Sequence, residues 1–363
     1  MTRPGMPVII LIVLGLVLAA CGDQAPSADA GASDEETESQ PAEESEAPAE
    51  SAAASEGEEP SGESRLALVQ ARGDLICGVN GTLPGFSVID ADGNMTGFDA
   101  DFCRAIAAAV LGDSEAVTFR ELTADQRSTA LQTGEIDVLI RNTTWTVSRD
   151  TSWGLFAPTT FYDGQAIMVD STQVDATTLA DLDGASVCVL TGTTTELNLA
   201  DAFRSAGITY TPETFEEAPD LYEAYQAGTC DAATSDRSQL VAQRAGFDNP
   251  DDHVILEDVL SKEPLGPVVP LGDDQWFNVV KWVVFATIEA EELGVASDNV
   301  EDTAGSSTDP VVQRLLGVTP EGADPFESGL GLDADWVVTM ISQVGNYGEI
   351  FDRNLGPSTP LGL

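Results

Sequence analysis

Residues 140–150, IRNTTWTVSRD, set two guanidiniums, Arg141 and Arg149, among Thr, Asn and Ser side chains and one Trp. They are two of only 15 basic residues in a chain of 363 with a formal net charge of -47. A guanidinium is a planar fork that matches a carboxylate through two parallel hydrogen bonds. Residues 191–201, TGTTTELNLAD, form a second candidate anion site. Backbone N–H groups at a helix start, with nearby hydroxyls, can hold a carboxylate. No Lys follows the glycine, so this turn is not a P-loop. Asp236, in TSDR, can accept a cationic amine. Each residue also has a local alternative: an Arg149–Asp150 pair, an Asp236–Arg237 pair, or plain capping by Thr194 or Thr195. Taken together they suit the two ends of an α-amino acid. Each charge is costly to desolvate alone, so a ligand satisfying both is selected.

These side chains need a scaffold that brings them together, and the chain's weak internal repeat supplies one. The first half reads LICGVNG, a helix, AVTF, another helix, then ALQTGEIDVLI. The second reads SVCVLTG, a helix, GITY, another helix, then AYQAGTCDAAT. Both contain Ala-x-Gln-x-Gly-x-x-Asp, at 130–137 and 224–231, with Gly134 and Gly228 fitting helix ends. Alternating apolar runs and helical patterns predict two similar α/β lobes. Ligands of open α/β sheets sit beyond the carboxyl ends of the strands. Those ends carry residues 80–82 and 141–146 in the first half, and 191–195 and 235–236 in the second. Asp99 is placed to cap FDADFCRAIAAAVLG, Thr123 and Gln126 spell a capping box, and ADGN signals a hairpin. His253, in NPDDHV, reads as a solvated loop residue. Trp153, Trp276 and Trp282 read as core, and Trp145 is open to either role.

Residues 1–20 read as a secretory signal ending in Leu18-Ala19-Ala20, with Cys21 placed as a lipidation site. Residues 21–64 hold no Lys, Arg or aromatic and predict a disordered acidic tether. From residue 65 on, 48 acidic face 14 basic residues, the totals of 62 and 15 less 14 and one before that point. That balance disfavours nucleic-acid binding. About 300 residues call for two lobes. Cys77, Cys103, Cys188 and Cys230 allow three connectivities, and no C-x-x-C spacing suggests zinc. No cofactor is expected.

The stretch from Leu75 to about Gly294 resembles the solute-binding proteins for polar amino acids that serve ABC importers. GFDADFCRAIAAAV, GEIDVLIRNTTWTVSRD, VLTGTTTELNL and AGTCDAATSDRSQLVAQR carry the resemblance. SKEPLGPVVPLGDDQWFNVVKWVVFATIEAEELG points to the general L-amino-acid branch. The resemblance implies a two-lobe periplasmic-binding-protein-like α/β fold with a two-crossover hinge. Arg149 then holds the ligand's α-carboxylate, Asp236 its α-amine, and the main chain and hydroxyls of Thr193 and Thr194 add to the carboxylate site. Asn142 and Thr144 line the ligand, with Asn80 at the neighbouring strand end. Arg141 stands where cationic-amino-acid binders have a small polar residue; it meets an acidic ligand side chain or covers the rim. Leu83 replaces their stacking aromatic. The resemblance also implies the disulfide Cys188–Cys230, and with it Cys77–Cys103. The lobes are expected at 65–162 and 163–260, with a return segment and helical extension at 261–363. The crossings fall near 161–165 and 259–262.

The function implied is that of a monomeric receptor, exported and lipid-anchored at the outer face of the cytoplasmic membrane. It delivers L-amino acids to an ABC permease. An enzyme resembling cyclohexadienyl dehydratase is the alternative on this scaffold, but no Ser-His or Cys-His arrangement is visible. A ligand-sensing protein would have to act through a partner.

Overall fold

A computed structural model describes residues 64–320, 322 and 328–363. The signal, Cys21 and all but the last residue of the tether lie outside the described residues. Helix α1 (Arg65–Arg72) leads into β1 (Leu75–Val79), the short strands β2 (Thr82–Leu83), β3 (Ser87–Ile89) and β4 (Met95–Thr96), and α2 (Phe98–Leu111). Next come β5 (Val117–Glu121), α3 (Gln126–Gln132), β6 (Val138–Leu139), α4 (Val147–Ser152) and β7 (Leu155–Phe156). The long strand β8 (Phe161–Asp170) enters the second half, which continues with β9 (Ala185–Leu190), α5 (Thr194–Ala206), β10 (Tyr210–Phe215) and α6 (Ala218–Gln226). It ends with β11 (Ala232–Asp236), α7 (Arg237–Arg244), β12 (His253–Ile255) and β13 (Ser261–Leu265). Then follow β14 (Val268–Val269), α8 (Asp274–Glu292), α9 (Val300–Ser306), α10 (Pro310–Leu315), α11 (Trp336–Val344) and α12 (Tyr347–Asn354).

The two halves build matching sheets. The first has the order β5-β1-β6-β14-β7, and the second β10-β9-β11-β8-β12 with β13 also on β8. In each, the half's first strand lies between two parallel neighbours. In each, the fourth place goes to an antiparallel strand, β14 or β8, that the chain adds after crossing from the other half. The repeated motif has a structural task. Asp137 Oδ2 accepts the β1 amide of Ile76 at 2.8 Å, and Asp231 Oδ2 accepts the β9 amide of Ser186 at 2.7 Å. Gly134 and Gly228 take φ of 74° and 73°, the left-handed region where glycine is favoured. Each thereby ends its helix just before the strand that carries site residues at its far end. Arg65 and Arg72 both pair with the buried Asp137, fastening α1 to the first sheet.

The crossing strands β8 and β13 pair antiparallel, Phe161 opposite Leu265 and Gln165 opposite Ser261. The final helices pack on the first lobe. Arg353 and Asn354 both reach Asp101 Oδ2 of α2, at 2.8 and 2.7 Å, and Gln343 Nε2 donates to Gly112 O at 2.9 Å. Phe98 packs edge-on against Phe86, Phe102, Phe161, Tyr347 and Phe351, so one aromatic cluster joins α2, β8 and α12.

Several local expectations fail. Gly97, not Asp99, precedes α2, and Asp99 turns inward. Thr123 lies before the helix start; half the box survives, the Thr123 amide donating to Gln126 Oε1 at 3.1 Å. His253 is buried, because NPDD forms one tight turn that delivers it into β12 against β8. There it shares a 2.9 Å hydrogen bond with the Tyr225 hydroxyl. Trp282 is 45% exposed on α8, whereas Trp276 is fully buried and donates to Asp137 O at 2.9 Å. The ADGN turn does close the β3–β4 hairpin, with Asp90 bonded to Asn94 O at 2.9 Å.

Both disulfides are present: Cys77–Cys103 with Cα atoms 6.1 Å apart, and Cys188–Cys230 with 5.7 Å. The first joins β1 to α2; the second joins β9 to the residues before β11. They close separations of 26 and 42 residues, and each should contribute about 2–4 kcal/mol. Replacing Cys188 and Cys230 together by Ser is expected to lower the unfolding free energy read from urea denaturation by that amount. Thermal scans with and without reductant check it; equal midpoints would contradict the bonding.

Candidate functional site

One narrow cavity of about 20 Å³ lies where the carboxyl ends of both sheets meet. Arg141, Asn142, Thr144 and Arg149 line it from the first lobe, and Thr193, Thr194 and Asp236 from the second. Asn80 stands one hydrogen bond behind, its Nδ2 donating to Asn142 Oδ1 at 3.2 Å. Leu83 is buried in β2 and is not part of the wall. Trp145 is 38% exposed and stacks on Phe156, away from the cavity.

Arg149 does not pair with Asp150, whose Oδ1 accepts the Phe156 amide at 3.0 Å. Instead its Nη1 donates to Thr144 O at 3.1 Å, and the guanidinium lies 4.7 Å over the Trp153 ring. Thr146 caps α4 and so sets the rotation that turns Arg149 inward. Arg237 likewise leaves Asp236 and approaches Glu257 at 3.7 Å. Both local pairings considered from sequence are therefore absent, and the two opposite charges face one space.

The threonine turn contributes through its main chain. Thr193 Oγ1 donates to Leu190 O at 2.7 Å and accepts the Glu196 amide at 3.1 Å. Thr194 Oγ1 donates to Glu263 Oε2 at 2.9 Å. Neither hydroxyl proton remains for an anion. The first amides of α5 have no carbonyl partner within the helix, and they aim positive charge along its axis.

Asn142 shapes the other wall. It alone among the described non-glycine residues has positive φ, 32°. Asn tolerates this region because its short polar side chain bonds locally. The Asn142 amide donates to Asp99 Oδ2 at 2.8 Å, and its Nδ2 donates to Asp236 Oδ2 at 3.4 Å. Asp99 is thus a buried anchor for this loop; burial pushes its carboxyl up to about 7, against the Asn142 amide and then Arg141.

Thr195 and Ser235, from the expected strand-end clusters, also line the cavity, and so do Arg127 and Gln239, which sequence reasoning missed. Sequence reasoning also missed Glu263, which sits behind Thr194. Arg127, on α3, is buried; Nε donates to Ala124 O at 2.8 Å and Nη2 crosses to Gly192 O of the other lobe at 3.2 Å. It too lies over Trp153, at 5.3 Å. The one available signal was its place one turn before the repeated motif, on a helix whose end faces the second half. Three guanidiniums therefore meet here, and among the described residues none has a carboxylate within 4.0 Å. Burial lowers all three, Arg141 to about 10, yet a guanidinium keeps its proton in proteins. The cavity wall carries no His or Cys. Further bonds tie the lobes shut: Thr144 Oγ1 to Thr194 Oγ1 at 3.4 Å, and Gln243 Nε2 to Thr82 O at 3.4 Å.

Residues 75–297 match the bacterial extracellular solute-binding proteins, family 3. The general L-amino acid-binding periplasmic protein AapJ of Rhizobium johnstonii is 48% identical over 306 residues, 84% of this chain and 89% of that protein. The glutamate/glutamine/aspartate/asparagine-binding protein BztA of Rhodobacter capsulatus is 46% identical over 301 residues, 83% and 88% of the two. A periplasmic binding protein of an ABC transporter from Brucella ovis, solved with glutathione bound, superposes with TM-score 0.80 at 48% identity, covering 83% of this chain and 94% of that one.

Asn142 allows backbone and side-chain roles to be separated. Asn142→Ala should cost about 1 kcal/mol or more, from the φ it cannot easily adopt plus two lost side-chain bonds. Asn142→Gly should recover most of the loss attributable to φ. Urea denaturation of both variants tests this; equal stability of the two would show that φ carries no cost.

Proposed function

We propose, for a chain that belongs to the bacterial extracellular solute-binding proteins of family 3, that it is a receptor binding L-amino acids between its lobes. One observation carries this: Arg149 of the first lobe and Asp236 of the second line the same cavity with opposite charge. In this reading Arg149 and the first amides of α5 hold the α-carboxylate, and Asp236 holds the α-ammonium. Asn142 and Thr144 complete the wall, with Asn80 behind. Trp153 fixes the plane of Arg149 at a separation where cation–π attraction is worth about 0.5–2 kcal/mol.

Arg127 and Arg141 exceed what one α-carboxylate needs. They face the ligand's side chain and favour acidic or amide groups. What AapJ and BztA are named for binding supports an amino-acid ligand of this kind. Ligand closes the lobes about β8 and β13, which requires tighter binding to the closed form than to the open one. The closed form then presents itself to an ABC permease as a monomer, held outside the cytoplasmic membrane by a lipid on Cys21. No helix among the described residues is long and apolar enough to cross a membrane.

Calorimetric titration with the twenty L-amino acids tests the reading. Binding of several is expected, with acidic and amide side chains tightest. Arg149→Ala should weaken all of them by at least about 100-fold, because it strips a charge-assisted pair and leaves a desolvated carboxylate. Arg141→Ala should weaken glutamate more than alanine. Mass analysis should recover the ligand unchanged; a product would favour the dehydratase-like alternative. Absence of binding by any amino acid would end the proposal.

A further inference from the structure

Three carboxylates and an amide converge where the crossing strands meet the second sheet. Asp236 of β11 stands opposite Gln165 of β8, and Gln165 stands opposite Ser261 of β13. Two residues along, Asp163 stands opposite Glu263. Period-two alternation puts positions 163, 165, 236 and 263 on one side of the sheet.

The hydrogen bonds around this group are short of donors at one point. Gln165 is fully buried; its Nε2 donates to Thr195 O at 2.8 Å and Thr234 Oγ1 at 3.0 Å, while its Oε1 has no partner among the described residues. Glu263 is satisfied by Thr194 Oγ1 and Asn198 Nδ2, each at 2.9 Å, and by the Ser261 hydroxyl. Asp163 accepts the Gly164 amide at 2.8 Å and the Ser238 hydroxyl. Asp236 is only 5% exposed, and its side chain receives one bond among the described residues, the long one from Asn142. A buried carboxylate so poorly supplied is expensive while ionised.

We propose that this group checks closure: bringing the lobes together takes water from Asp236 beside two further acids, so the lobes close only when Asp236 receives the ligand's ammonium or a proton. The inference rests on the amino-acid-binding reading of the cleft. Titratable and charged groups from several surrounding elements act on Asp236. These are Asp163 from β8, Glu263 from β13, Tyr222 from α6, Arg127 from α3, Arg149 from α4, and Arg141 from the loop after β6. Burial first, then Asp163, then Glu263, hold the Asp236 carboxyl well above the usual carboxylate range. Asn142 and Arg127 oppose them without prevailing. A carboxyl raised by closing takes up a proton on closing. Acid therefore favours closure without ligand and competes with the ammonium, so affinity falls as pH falls.

The test uses the full chain and L-glutamine, whose own groups do not titrate between about pH 5 and 8. Calorimetry in buffers of different ionisation heat counts protons. The expected result is weaker binding toward pH 5, by up to about tenfold per unit, with proton release rising toward one per ligand. Asp163→Asn, which keeps an acceptor for Ser238 but removes the charge, should move the whole transition to lower pH. Affinity and proton count that do not change with pH would overturn the proposal. A second arm needs no ligand. X-ray scattering should show the chain becoming more compact on acidification, and less so in Asp163→Asn; a radius unchanged with pH would equally overturn it. If L-glutamine fails to bind at pH 8 while acid still compacts the chain, the amino-acid reading fails and the closure check stands.

Discussion

A buried charge must be answered by something, and at close range the charged groups of this cleft meet main-chain carbonyls and one side-chain amide but no opposite charge among the described residues. Arg149 and Asp236 are almost fully withdrawn from water and neither has an ion-pair partner within 4.0 Å among the described residues. Withdrawing ions from water costs several kcal/mol each unless paired. The rest of the structure serves to hold them in this costly arrangement on separate lobes. Thr146 and Trp153 set the direction of Arg149, Asn142 reaches Asp236, and the paired strands β8 and β13 run between the two halves. Because the charges come from different lobes, the proposed opening would return them to water and the proposed closing would favour a zwitterion.

The repeat explains why such an arrangement is accessible to one chain. The same β-α-β unit, pinned by Asp137 in one half and Asp231 in the other, points the ends of its strands at a shared boundary. The halves then diverge in the residues beyond those strands: arginines follow β6, and an aspartate ends β11. Two copies of one scaffold thereby supply opposite charge. Asp137 and Asp231 also show why the motif does not mark the site, since each bonds to the first strand's beginning, at the far end from the cleft.

Much of this was legible in the sequence. The two lobes follow from the periodicity and the repeat, and the Arg149–Asp236 juxtaposition from strand-end placement together with the family resemblance. The disulfides followed from the resemblance alone, since four cysteines leave the pairing open. What was not legible depends on long-range packing. Arg127 sits in TADQRSTA, where nothing local separates it from a surface arginine; its burial comes from the second lobe closing over α3. Glu263 lies in the crossing strand, and only register with Asp163 and reach to α5 reveal its neighbours. Asp99 looked like a helix cap because Asp often is one, but Gly97 begins the helix and frees Asp99 for the Asn142 amide. His253 looked solvated by its acidic neighbours, yet strand pairing with β8 buries it against Tyr225.

The same accounting bears on the long-range field. From residue 65 onward 48 acidic residues face 14 basic ones, and three of those 14, Arg127, Arg141 and Arg149, line a single cavity. The exterior is therefore negative and repels an anionic ligand at a distance, within a screening length of roughly 8–10 Å at physiological salt. A zwitterion with no net charge approaches without that penalty and meets the positive cluster only at the cleft. On the proposed reading an acidic amino acid would cross the outer field first and then meet three guanidiniums in a low-dielectric wall. Affinity for acidic ligands should thus owe more to a slow departure than to a fast arrival, since electrostatic steering acts on association while desolvated contacts act on release.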